Sequence, residues 1–146
     1  ITYIEQDELL GTAHALRKAE GYVNGEFLVV NGDNLIDARA VKELVAAKGE
    51  NVILSALRRH SGDYGVLLVQ QERVKAIIEK PGRPCSGLLN TGAYKFSPAI
   101  FEDLRHTSIS ERGSYELTQT LSQIIAEGRV VVPVISNGIW SDAIFA

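Results

Sequence analysis

The 146-residue sequence contains no methionine and a single cysteine, Cys85. One cysteine excludes an internal disulfide and suits a reducing compartment, so the cytoplasm is the expected location. The opening Ile1-Thr2-Tyr3-Ile4-Glu5 has no initiator methionine and no basic segment, and we expect neither a natural start nor a leader peptide there. No window approaches the roughly 20 apolar residues a spanning helix needs, so no membrane partner is expected. A basic excess is lacking too: 15 Lys and Arg against 18 Asp and Glu leave a net charge of −3. That balance gives nucleic acid no electrostatic reason to bind. Repeats and low-complexity stretches are absent. With 45% hydrophobic and 23% charged residues, the composition is that of a folded domain, and the length suits one rather than two.

What is present is an alternation of apolar runs with amphipathic ones. Phe27-Leu28-Val29-Val30, closed by Asn31-Gly32-Asp33, reads as a strand buried on both faces, as in a parallel sheet covered by helices. Asp37 has the chemistry of an N-cap for a helix through about Lys48, with Val41, Leu44 and Val45 inward and Gly49 as its stop. Val52-Ile53-Leu54 is a second buried run. Gly65–Gln70 and Arg73–Glu79 predict a hairpin turning at Gln71-Glu72, and Pro81-Gly82-Arg83-Pro84 a loop. Thr91–Ser97 and Val130–Ile135 are further strands. Between them Ser114 can cap a helix bearing Leu117, Leu121, Ile124 and Ile125, ended by Gly128. Strand–helix–strand order with an inserted hairpin predicts a three-layer α/β domain with a mixed sheet.

Four polar groupings punctuate these runs. Gln6 precedes Gly11-Thr12 at a helix start, where free backbone N–H groups suit a phosphate or a base edge, though Thr12 serves equally as a plain cap. Asp33 follows a buried strand, at the sheet edge where ligands of open α/β sheets bind, and a carboxylate there can hold Mg²⁺ or simply close an Asx turn. Glu79-Lys80-Pro81 sets a carboxylate and an ammonium on opposite faces of a strand end, one suited to sugar hydroxyls and the other to a phosphate. Asn90-Thr91-Gly92 adds amide and hydroxyl groups, and is also an ordinary turn sequence.

Taken in order, Gln6…Gly11-Thr12, Gly32-Asp33, Tyr64-Gly65, Glu79-Lys80-Pro81, Asn90-Thr91-Gly92, Tyr115-Glu116-Leu117-Thr118 and Trp140-Ser141-Asp142 resemble the sugar-phosphate nucleotidylyltransferases. The resemblance spans essentially the whole chain. It implies the α/β/α, Rossmann-like nucleotide-diphospho-sugar transferase fold with a mostly parallel sheet. It also implies transfer of a nucleotidyl group from UTP or dTTP to a sugar-1-phosphate. Mg²⁺ would be held by Asp33 and Asp142, the latter in a Trp-Ser-Asp segment where the family usually has Trp-Leu-Asp. Catalysis would fall to Asp33, Lys80 and Asp142. Gln6, Gly11, Thr12 and Gly32 would meet the nucleotide. Gly65, Glu79, Asn90 and Thr91 would line the sugar-phosphate pocket, while Tyr94 and Trp140 would pack. The partners implied are these two small molecules; no residue argues for a homo-oligomer, which stays open.

The family's glycine-rich loop with its arginine and Pro-Lys finds no match here. Residues 1–146 are therefore expected to be part of a nucleotidylyltransferase domain, short at both ends, without its opening strands and inactive alone. A catalytically silent regulatory relative, like the pyrophosphorylase-like subunits of a translation-initiation exchange factor, would not need Asp33, Lys80 and Asp142 together. A glycosyltransferase would be expected to show Asp-x-Asp where Asp33 is followed by Asn34-Leu35.

Overall fold

The computed structural model of the chain describes residues 1–60, 62–83 and 85–142, with the backbone alone at 59, 60, 85 and 142. Pro84, expected in a loop, lies outside the described residues. The elements run α1 (Thr12–Arg17), a 3-10 turn (Glu20–Tyr22), β1 (Phe27–Val30), β2 (Asn34–Ile36), α2 (Ala38–Ala46) and β3 (Asn51–His60). After these come β4 (Val66–Gln70), β5 (Arg73–Ile78), β6 (Cys85–Phe96), α3 (Ile100–Arg105), α4 (Leu117–Ala126), β7 (Val132–Ile135) and β8 (Trp140–Asp142).

Six strands form the main sheet in the order β5-β4-β6-β3-β7, with β1 also paired to β6. Helices cover both faces. Ala13 and Leu16 of α1, Ile100 and Leu104 of α3, and Leu121 and Ile124 of α4 pack on Ile53, Tyr94 and Phe96. On the other face, Ala40 and Leu44 of α2 pack on Val52, Leu54 and Ala93. The expected three layers are therefore present.

The sheet itself is mostly antiparallel, not mostly parallel. Among the described residues only β3 and β7 run parallel, while β6 meets β1, β3 and β4 antiparallel. The misreading has a physical cause. Residues 52–56 are buried throughout because helices cover both faces, and that burial does not depend on strand direction. Phe27–Val30 fails the expectation differently: Phe27 and Val29 are half-buried, but Leu28 and Val30 stay 37% and 47% exposed. The hairpin forms as expected, with Gln71 and Glu72 at φ 51° and 57°, the left-handed pair that a twisted two-residue connection requires.

Asp37 caps α2 through Ala40 N at 2.8 Å, but the helix ends at Ala46 and turns Ala40 and Leu44 inward, leaving Val45 exposed. Helix α4 departs further from expectation. It starts at Leu117 behind Glu116, with no side-chain bond from its own N-cap residue. Its first amide is satisfied instead by the hydroxyl of Thr12, 105 positions upstream, at 2.9 Å.

Candidate active site

The loops after β1 and β5, the middle of β6, the Gly11 turn and the segment before α4 converge on one cleft made of two adjoining hollows. They measure ≈ 360 and ≈ 380 Å³ and share Asn31, Glu79, Lys80 and Asn90. The first is completed by Gly11, Thr12, Arg112 and Glu116, and the second by Asp33, Asp63, Gly65 and Thr91. Eight expected site residues thus meet in one place.

Glu79 and Lys80 were expected on opposite faces of a strand, yet both line the cleft. Strand β5 stops at Ile78, and Lys80 at φ 40° breaks the extended alternation. Glu79 Oε2 is buried without a hydrogen-bond partner, while Oε1 stands 3.8 Å from the Arg112 guanidinium. Gly65 packs closely beside it: a Cβ there would sit 3.2 Å from Glu79 Oε2, so the carboxylate would have to shift by a few tenths of an ångström. A buried carboxylate oxygen with no donor is costly, which sets Glu79 apart from the other polar residues of the cleft.

Asn90 is held from several sides. Its amide nitrogen donates to the Tyr94 hydroxyl at 2.9 Å, its side-chain oxygen accepts from Gly92 N at 2.9 Å, and its backbone N–H donates to Gly65 O. Burial pushes the Tyr94 hydroxyl up to about 12, with the nearby Glu79 charge adding to the shift, so the phenol stays neutral. Tyr94 packs as expected but also orients a cleft residue. Thr91 gives its buried hydroxyl to Leu54 O at 2.8 Å, and its carbonyl accepts from Asn34 Nδ2 and Trp140 Nε1. Its side chain is committed to the scaffold, and Trp140, in contact with Tyr64, is largely packing.

Gln6 is not among the residues that line the two hollows. Its amide nitrogen donates to Gly11 O at 3.1 Å and lies 3.0 Å from His14 Nδ1. Gly32 sits between the cleft residues Asn31 and Asp33. Strands β2 and β8 pair so that Asn34, next to Asp33, is opposite Asp142. The sequence reading missed Arg112, which lies 3.1 Å from Glu116 and faces the cleft with Lys80. The signal available was an arginine beside Gly113 in the polar stretch before an apolar helix.

A mixed sheet between helical layers, with basic, acidic and amide groups gathered at its loop edge, is an α/β architecture with a polar ligand cleft at that edge. The chain belongs to the nucleotidyl transferase family, whose model matches residues 1–143. It is 37% identical over 143 residues to the bifunctional protein GlmU of Methanocaldococcus jannaschii, covering 97% of this chain and 34% of that protein. It is 32% identical to the UTP–glucose-1-phosphate uridylyltransferase AglF of Haloferax volcanii, covering 94% of this chain and 59% of the relative. Among solved structures, a putative glucose-1-phosphate thymidylyltransferase from Bacillus anthracis in complex with a sucrose superposes with a TM-score of 0.79 at 29% identity, over 97% of this chain and 59% of that one. The chain therefore spans about a third of the GlmU length and three-fifths of the other two.

Proposed function

We propose that this chain supplies the acceptor side of an enzyme that transfers a nucleotidyl group from UTP or dTTP to a sugar-1-phosphate, releasing pyrophosphate. The observation that carries the reading is Glu79 Oε2, buried and unpartnered in a cleft that also holds Lys80, Arg112 and the fixed Asn90 amide. A sugar hydroxyl would satisfy the orphaned oxygen, and a phosphate would lie against the two cations. The acid and the bases in one cleft thus match the two ends of a sugar phosphate. The names of the relatives point the same way.

In this mechanism Glu79 and Asn90 orient the sugar, and Lys80 and Arg112 hold its phosphate so that an oxygen faces the α-phosphorus in line with the departing pyrophosphate. Positioning of two bound reactants can supply roughly 7–11 kcal/mol of a barrier. Gly11 and Thr12 close the nucleotide end. Mg²⁺ belongs to the proposal through Asp33, a hard oxygen donor that opens on the second hollow; among the described residues no three metal-ligating side chains cluster, so Asp33 would hold the ion together with substrate phosphates. Bound there, the ion would neutralise charge on phosphate oxygens. The site residues, the metal, a cytoplasmic location and the partial-domain reading of residues 1–146 belong to this same proposal.

The test is pyrophosphate release by the intact protein with UTP or dTTP, each paired with glucose-1-phosphate or N-acetylglucosamine-1-phosphate and Mg²⁺. Turnover with one pair is expected. In Glu79→Gln the KM for the sugar phosphate should rise about tenfold or more, with that for the nucleotide little changed. An intact protein that forms no product with any pair would overturn the reading.

A further inference from the structure

Thr12 was expected to touch the nucleotide or to cap its own helix; it lines the first hollow, and its hydroxyl caps a different helix. Helix α1 begins behind Gly11 with no side-chain cap. The Thr12 hydroxyl instead accepts from Leu117 N, the first amide of α4, at 2.9 Å. Two backbone bonds flank this one: Ala13 N donates to Tyr115 O and Tyr115 N donates to Leu10 O, both at 2.8 Å. The approach is so close that a Cβ on Gly11 would stand 2.4 Å from Tyr115 O. Residues 10–13 and 115–117 are thereby laced together.

What hangs from this lacing is the loop that carries Arg112. Ser110 N donates to Ser114 O and Gly113 N to Ser110 O, both at 2.9 Å, so residues 110–114 close on themselves as one unit. Arg112 projects from the unit to within 3.1 Å of Glu116 and 3.8 Å of Glu79. Its anchor is the 10–13 segment, and among the described residues the Thr12 hydroxyl makes the one side-chain hydrogen bond between residues 10–13 and 115–117.

We propose that Thr12 is a positioning residue for Arg112, coupling the nucleotide end of the cleft to its sugar-phosphate end. A nucleotide settled against Gly11 and Thr12 stiffens the lacing and holds the Arg112 loop in place, so each substrate favours the other. Coupling of this kind is reciprocal. The assignment of the two ends rests on the proposed function; the role of the hydroxyl as the cap of α4 rests on geometry alone.

The experiment compares Thr12→Val, which keeps shape and loses the acceptor, with Thr12→Ser, which keeps the hydroxyl. Hydrogen exchange is followed at Leu117 and residues 110–116 in the intact protein, and KM is measured for each substrate. Thr12→Val is expected to speed exchange across that segment and to raise the sugar-phosphate KM about five- to tenfold, with a smaller change for the nucleotide. Thr12→Ser should return both readouts towards the wild type. Arg112→Ala should raise the same KM, and the double variant Thr12→Val/Arg112→Ala should be no worse than Arg112→Ala. Unchanged exchange in Thr12→Val, an equal rise in both KM values or full additivity in the double variant would each overturn the proposal. If the wild type transfers nothing, the functional reading fails, and exchange at Leu117 alone decides whether Thr12 positions the loop.

Discussion

Tyr94 stacks its ring on Phe96 at 5.5 Å while its hydroxyl accepts the Asn90 amide, so one buried side chain serves both the core and the cleft. Its phenol is pushed from 10 to about 12. A raised folded value means that the neutral form stabilises the fold, fully below pH 10 and progressively less as pH climbs towards 12. Two units correspond to on the order of 2–3 kcal/mol lost across that window. Tyr94→Phe should keep the ring packing, cost about 1 kcal/mol at neutral pH through the lost hydrogen bond, and remove most of this alkaline step. Urea unfolding between pH 8 and 12 would measure both; an identical alkaline loss in the variant would refute the assignment. The cleft residues Asp33, Glu79, Lys80 and Asn90 were legible because each is polar and adjoins an apolar run. Their directions were not. The left-handed φ of Lys80 leaves no trace in hydrophobic pattern, and Arg112 reaches the cleft only through contacts with residues far off in sequence.

Among elements, the β2·β8 ribbon shows how one carboxylate organises a region. Asp37 Oδ1 caps α2 at Ala40 N, its Oδ2 accepts from Ile139 N at 2.8 Å, and its own N–H donates to Ile139 O. Gly138 must stay bare, because a Cβ there would meet Asp37 Oδ1 at 2.5 Å. Gly138→Ala should therefore cost about 1–3 kcal/mol, read as a lower denaturation midpoint, since the tied carboxylate cannot yield without releasing Ala40 or Ile139. The amide of Ala40, then that of Ile139, holds the Asp37 carboxyl below its ordinary 3.8. A depressed folded value gives stability that is present above pH 3.8 and is lost as pH falls through the lower folded value. Exchange at Ile139 should accelerate in that acid window, and Asp37→Asn should remove the dependence. The cap itself was readable from Asp37 before an amphipathic run. The second bond, to a residue 102 positions away, was not, and neither was strand direction in a sheet whose burial comes from helices on both sides.

On the scale of the molecule, the charge balance and the α/β/α layering were legible, but the state of β1 was not. Its Phe27 and Val29 join the helical core while Leu28 and Val30 face outward, on the side where α2 covers Val52 and Leu54 but not β1. One edge of β1 pairs with β6; among the described residues the other meets no strand. An apolar strand with a free edge is a template for another strand. The 146-residue polypeptide by itself should then self-associate, with a light-scattering mass that rises with concentration. The variant Leu28→Lys/Val30→Lys should stay monomeric, since two like charges on the exposed face repel an incoming copy and desolvate poorly. Its unfolding free energy should change by no more than about 1 kcal/mol, as both positions are substantially exposed. Equal association in the variant would place the adhesive surface elsewhere. A wild-type chain that is monomeric at every concentration would mean that the twist of this short strand already protects its edge.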